Sequence, residues 1–359
     1  MALDVTGALR YPNPDAAWLA RHVEDILEPD IPIVDAHHHI WDQPGNLYGI
    51  DDLRADVLTG HKVVATVFVQ AHHAYRSTGP EALRCVGETE RIEQLSNDAQ
   101  ASKDAATFTP CAAIVGFADL MLGKEVAQVL EAHRAASPRR FCGVRHSVSR
   151  DPHFPQGIVL RPAPPRMLEE PRFRAGLATV AEHGLSFDAM LYHSQIGELA
   201  AAARAVPQLP IVLDHFGCII GVGPYVGNER ETFNTWRKDI QELALLPNVS
   251  IKLGGMGMII CGARFHENPR PPSSQELADA WRPHVETCIE AFGADRCMFE
   301  SNFPVDKAMF SYPVLWNAFK RLTAGATDRE KAMLLGANAA RFYKIDLGEV
   351  PASSASVAS

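Results

Sequence analysis

Residues Ile31-Pro32-Ile33-Val34-Asp35-Ala36-His37-His38-His39-Ile40-Trp41 decide the fold class. A short apolar run, Ile31–Asp35, ends in an acid and three histidines rather than in a glycine-rich turn. An open doubly wound sheet usually carries a phosphate-binding glycine turn after its first strand, so a dinucleotide fold is disfavoured. In an extended segment residues two apart share a face, so His37 and His39 point the same way and His38 points away. A His-x-His at a strand end can offer two imidazoles to one metal ion.

Outward from this stretch the same unit repeats. Further apolar runs are Val63–Gln70, Pro110–Val115, Phe141–Arg145, Leu185–Leu191, Pro210–Asp214, Val249–Leu253 and Arg296–Glu300. Helical patterns separate most of them, over Pro80–Gln94, Glu125–Ala135, Glu170–His183, Ser194–Ala205, Thr232–Leu245 and Gln275–Phe292, with Pro313–Leu322 and Asp328–Tyr343 after the last. Strands buried on both faces read as nearly continuous apolar runs. Eight such runs alternating with helices predict an α/β (β/α)8 TIM barrel over residues 30–345. Residues 1–29 form an N-terminal helical arm, with a helix over Asp15–Leu27 that lies across the barrel as a lid or plug. Residues 346–359, rich in Ser and Ala, form a disordered tail. The connections Ser147–Met167 and Gly254–Ser274 are long and leave from strand C-terminal ends, where a barrel keeps its chemistry.

Polar residues gather at those ends: His37 to His39; Gln70, His72 and His73; Arg145 and His146; Tyr192 and His193; Asp214 and His215; Glu300, Ser301 and Asn302. Eight of the 15 histidines lie there. Lys252 sits on an inner strand, where its charge needs a partner; it pairs with Glu300 or faces the helices. Asp188 is left without a role.

The chain has 359 residues, 47% hydrophobic and 21% charged, with a formal net charge of −9. That balance, without a basic run, argues against nucleic acid as a partner. No run of about 18 apolar residues is present, which argues against a membrane partner. Met1 to Pro12 lacks the pattern of a secretory signal. Seven cysteines with no Cys-x-x-Cys read as reduced thiols. A cytoplasmic location, a small-molecule substrate and a homodimer are the resulting expectations.

Asp35-Ala36-His37-His38-His39-Ile40-Trp41-Asp42 resembles the first-strand motif of the amidohydrolase superfamily, in its lactonase-like branch (fuconolactonase, rhamnonolactonase and pyrone-dicarboxylate lactonase). Gly143-Val144-Arg145-His146, Leu213-Asp214-His215-Phe216-Gly217 and Gly336-Ala337-Asn338-Ala339-Ala340-Arg341-Phe342-Tyr343 match as well. The resemblance implies a hydrolase that opens a lactone of a small polar, carboxylate-bearing molecule. It implies one divalent ion, Zn or Mn, on His37, His39 and His193, with metal-free catalysis left open. His193 would hold the metal or contact the substrate, and His215 would hold the metal or polarise the scissile carbonyl. Arg145, His146, His72, Tyr75, Arg76 and Trp41 would contact the substrate.

One departure stands out. Where the family has an Asp as base after the last strand, this chain reads Glu300-Ser301-Asn302-Phe303-Pro304. An amide is no general base near neutral pH. Glu300 can take over, or Asp306 can reach in, although Asp306 reads as a solvated loop residue. A decarboxylating lyase on the same barrel and a non-catalytic binding protein are the alternatives that Asn302 leaves open.

Overall fold

The computed structural model describes residues 11–43, 46–101, 108–154, 156–158 and 162–347. Its centre is an eight-stranded, wholly parallel sheet: β1 Ile33–His38, β2 Val63–Val69, β3 Thr109–Gly116, β4 Phe141–Arg145, β5 Ser186–Ala189, β6 Ile211–Leu213, β7 Val249–Leu253 and β8 Cys297–Phe299. Strands pair in chain order. The ends close on each other where Asn302 N donates to His37 O at 2.9 Å and His39 N donates to Phe303 O at 2.8 Å. The result is a (β/α)8 barrel, with all eight predicted runs in place.

Alternation along the strands sorts the side chains. The outward parity of β5 to β8 (Phe187, Leu213, Ile251, Leu253 and Phe299) joins the apolar layer under the helices. The inward parity differs between the two halves. On β1 to β3 it is small and apolar, with Val34, Ala36, Ala65, Val67, Ala113 and Val115 in one cluster with Tyr343. On β4 to β8 it is charged: Arg145 follows Gly143, Asp214 follows Val212, Glu300 follows Met298, and Asp188 and Lys252 share that face. All five are buried. A register irregularity between Asp35 and His38 turns His37 into the interior, while Asp35 stays between strand and helix, accepting from Ser301 N at 2.8 Å and from the Tyr312 hydroxyl at 3.1 Å.

The helices follow the expected order, but β1 leads first into a short hairpin, Trp41–Gln43 with Asn46–Tyr48, and the helix Ile50–Val57. Neither is among the stretches read from the sequence, because a two-turn helix carries too few apolar positions to show a period. The arm also differs from expectation. Its helix covers only Ala16–Leu19, started by Asp15 whose side chain accepts from Ala17 N and Trp18 N. Beyond it the chain is irregular and held by side chains of the barrel. Asn317 Oδ1 accepts from Leu27 N, and Lys320 Nζ donates to the carbonyls of Leu27 and Glu28. Trp18 Nε1 donates to Asn268 O, so the arm does lie against the β7 connection. Residues 1–10, and residues 348–359 of the expected tail, lie outside the described residues. Among the described residues no helix is long and apolar enough to cross a membrane.

Candidate active site

The charged half of the interior converges beneath a cavity of about 360 Å³ at the C-terminal ends of the strands, lined by His39, Gln70, His72, Arg145, His215 and Asn302 among others. Tyr11 and Pro12 of the arm and Met258 and Ile260 of the β7 connection complete its walls.

Lys252 is the hub below. Its ammonium lies 2.7 Å from Asp188 Oδ2 and 2.9 Å from Asp214 Oδ1, with Tyr343 donating its hydroxyl to Asp188 Oδ2 at 2.7 Å. Lys252 therefore pairs with two aspartates, not with Glu300 and not outside the barrel. The two carboxylates raise the pKa of Lys252 against the pull of burial. Burial lifts Asp188 to about 6 despite the lysine. Asp214 is held well below the usual carboxylate range, because Lys252 and His37 outweigh its own burial.

Glu300 lies behind two histidines rather than in the cavity. Its Oε1 accepts from His215 Nδ1 at 2.6 Å, and its Oε2 lies 3.0 Å from His37 Nδ1. Burial alone would push Glu300 up, but the two rings bring it down to about 2. The same pair leaves His215 above its ordinary value although burial opposes it. With Nδ1 engaged, His215 presents Nε2 as its free nitrogen, and the ring lines the cavity. The backbone permits this through a left-handed turn over His215, Phe216, Gly217 and Cys218 (φ 55°, 56°, 75° and 44°). Opposite it, Gly254 and Gly255 follow β7. A Cβ on Gly254 would stand 2.4 Å from Glu300 Cγ, and one on Gly255 2.6 Å from His215 Nδ1. The glycine pair leaves the room the His–Glu couple occupies.

His37 and His39 face each other through Nε2 at 3.2 Å. His39 Nδ1 donates to Val69 O at 2.8 Å, so its Nε2 carries a lone pair. His37 Nδ1 lies 3.2 Å from Lys252 Nζ and 3.0 Å from Glu300 Oε2. Donor atoms of His37, Asp214 and His215 can be chosen within 4.8 Å of one another, a buried His/His/Asp cluster that can coordinate a divalent ion. The surroundings fit such an ion. Asp214 has no well-aligned hydrogen bond to either oxygen, and Glu300 Oε2 likewise has none. An ion on His37 Nε2 would place the ring proton on Nδ1, where Glu300 Oε2 can take it, the usual carboxylate–histidine support of a metal ligand. Burial keeps His37 (about 4) and His39 well below the ordinary histidine value, so both rings are neutral.

Arg145 donates through Nη2 to Gln70 O at 2.6 Å, and its Nη1 lies 3.3 Å from His37 Nε2; buried Nε has no acceptor. His72 accepts from the Tyr75 hydroxyl at 2.9 Å. Trp41 stacks on His39 with 15° between planes. Four expected residues are not gathered here in the way anticipated. Arg76 is spent on an exposed pair with Glu90. His146 Nδ1 accepts from Leu120 N, its ring held between Phe117 and Phe173. His193 stands outside the metal-capable cluster, its Nδ1 accepting from Ile220 N at 3.2 Å and its ring against Tyr225. Asp306 is not solvated: it is buried, accepts from Gly257 N and Asn302 Nδ2, both at 2.9 Å, and burial lifts it to about 7. Sequence reasoning placed Asp214 at a strand end and left Asp188 unassigned, and gave neither the ion-network role it has here. It had no signal for Tyr11.

Comparisons with known proteins agree with this fold. The family model described as amidohydrolase matches residues 34–345. An uncharacterised protein of Sinorhizobium fredii, y4mH, is 32% identical over 88% of this chain and 99% of its own length. An L-fucono-1,5-lactonase of Burkholderia ambifaria is 26% identical over 87% and 96%. The crystal structure of an amidohydrolase of Burkholderia multivorans with bound Zn superposes with a TM-score of 0.65 at 23% identity, covering 88% of this chain and 99% of that one. With a family match that spans the barrel from Val34 to Ile345, and with the clustered His/Asp centre typical of catalytic members at the C-terminal ends of its strands, the chain belongs to the amidohydrolase family.

Proposed function

We propose that the protein is a lactonase: it adds water to the carbonyl of a small polar cyclic ester and releases the hydroxy acid. The observation that carries the reading is the His215–Glu300 couple, whose free imidazole nitrogen is turned to a cavity of small-molecule size. The named activity of the Burkholderia ambifaria relative supports the choice of ester. Of the cluster of His37, Asp214 and His215, His37 and Asp214 would hold one divalent ion, Zn or Mn. His39 Nε2, 3.2 Å from His37 Nε2, would be the third donor in place of His215, which is engaged by Glu300. Such an ion supplies Lewis acidity toward the ester carbonyl.

The side chains account for the rest. His215 Nε2 takes a proton from the attacking water, and Glu300 stabilises the imidazolium so formed. Oxygen adds to the carbonyl carbon, and the unpaired Nε of Arg145 is a donor for the negative charge that builds on the carbonyl oxygen or for a substrate carboxylate. As the tetrahedral species collapses the ring C–O bond breaks, and His215 returns its proton to the departing alkoxide. An alkoxide leaves more readily than an unprotonated amide nitrogen, so one histidine–carboxylate couple suffices without an Asp at position 302.

The test is proton release on adding L-fucono-1,5-lactone and other aldono-1,5-lactones, with and without Zn or Mn. Ring opening that disappears in Glu300→Gln supports the reading. Carbon dioxide release from carboxylated aromatic acids, with no lactone opened, replaces it with a lyase.

A further inference from the structure

The family's base position is held here by Asn302, and the structure gives that amide a fixed orientation. Asn302 is 1% exposed, sits at φ 55° and lines the cavity. Its Nδ2 donates to Asp306 Oδ1 at 2.9 Å. Asp306 Oδ2 in turn accepts from Gly257 N at 2.9 Å, so both carboxylate oxygens act as acceptors. A Cβ on Gly257 would stand 2.8 Å from Asp306 Cγ, which shows how closely the β7 connection is laid on this carboxylate. With nitrogen pinned on Asp306, the amide oxygen must face the other way. Among the described residues no donor reaches Asn302 Oδ1. An amide oxygen on a cavity wall with no donor among the described residues is an acceptor open to something in the cavity.

We propose that Asp306 locks the amide of Asn302 so that Oδ1 receives a hydrogen bond from the attacking water, while His215 takes that water's other proton. The task usually given to one carboxylate is divided: Asn302 aims the water and His215 deprotonates it. Asn302 is then a positioning residue that touches the nucleophile, and Asp306 acts only through it. The inference rests on the hydrolytic reading above.

The test uses polarity. In Asp306→Asn the new side chain accepts from Gly257 N through its oxygen and turns its own NH2 toward Asn302. Asn302 must flip, and a donor replaces the acceptor in the cavity. We expect kcat to fall by about 100-fold with KM changed by less than about 3-fold, as for a misplaced nucleophile. The exchange Asn302→Asp with Asp306→Asn restores the pairing with reversed donors and again turns an acceptor into the cavity, so kcat recovers, whereas Asn302→Asp alone, which sets a carboxylate against Asp306 without the reversed pairing, stays slow. A role confined to packing gives no such recovery. Failure of the exchange to recover while Asp306→Asn is slow overturns the proposal, as does an Asp306→Asn variant as fast as the parent. Crystal structures supply the arm that needs no turnover. An ordered water between Asn302 Oδ1 and His215 Nε2 is expected in the parent, absent in Asp306→Asn and present again in the exchange. A parent without that water overturns the proposal even if lactones are hydrolysed. A parent with the water but no lactone hydrolysis overturns the lactonase reading alone.

Discussion

Replacing Lys252 by methionine removes the cation from the barrel interior and leaves its shape nearly intact. Asp188 and Asp214, both fully buried, lose the ammonium 2.7 and 2.9 Å away. Deleting one partner of a buried ion pair costs about 3–5 kcal/mol, because the surviving charge is left unsolvated. For a chain of this size about 1–1.5 °C of Tm accompanies each kcal/mol, so the variant melts roughly 3–8 °C lower at pH 8. The pH dependence has a definite sign. Asp188 already has a folded pKa near 6, above its ordinary value of 3.8. A carboxyl raised on folding favours the native state at low pH and loses that contribution as pH rises from the unfolded value through the folded one. Without Lys252 that folded value climbs further. The deficit should therefore shrink between pH 8 and pH 5.5, whereas in the parent Lys252 keeps the change small. Adding Asp188→Asn and Asp214→Asn to Lys252→Met removes the stranded charges and should recover most of the Tm. Differential scanning calorimetry at the two pH values measures all of this. A Lys252→Met protein that melts like the parent at pH 8 refutes the hub, and a deficit that grows on acidification refutes the sign.

Glu300→Gln should lower kcat on a hydrolysed lactone by about 10²–10⁴-fold, since His215 loses both its orientation and its compensating charge. The acidic limb of the residual activity, set by protonation of His215, should move to lower pH, because Glu300 is what raises that group; a stopped pH–rate comparison reads the shift, and an unmoved limb contradicts it. Elemental mass spectrometry of the protein purified without chelator should find about one equivalent of Zn or Mn, lost when His37 and His39 are both replaced by alanine while circular dichroism stays native. Arg76→Ala should leave kcat and KM within about two-fold, since its guanidinium is committed to Glu90 at the surface; a ten-fold rise in KM would place it on the substrate instead.

The barrel was legible because its strands are buried on both faces and so read as apolar runs of the right length. Phe141–Arg145 and Val249–Leu253 appear in the structure with the predicted ends. The helix at Ile50–Val57 was not legible, nor was the shortness of the Ala16–Leu19 helix, because the arm is shaped by distant side chains such as Asn317 and Lys320 rather than by its own pattern. At the site, His37, His39 and His215 were visible as histidines at strand ends. Their division of labour was not, since it depends on which nitrogen meets which carboxylate. Position 302 showed that the usual base was absent. Only the three-dimensional placement of Asp306, four residues on and buried, showed what the amide is tied to.

Tyr343 lies near the last described residue, yet its hydroxyl is a ligand of the central ion network and its ring stands 5.4 Å from the Lys252 ammonium. The interior charges are therefore completed last during synthesis. A nascent chain that has displayed all eight strands still has an open barrel floor, with Asp188 short of a donor, until this tyrosine leaves the ribosome. A chain stopped a turn before Tyr343 retains every residue of the catalytic cavity and yet lacks this donor to Asp188.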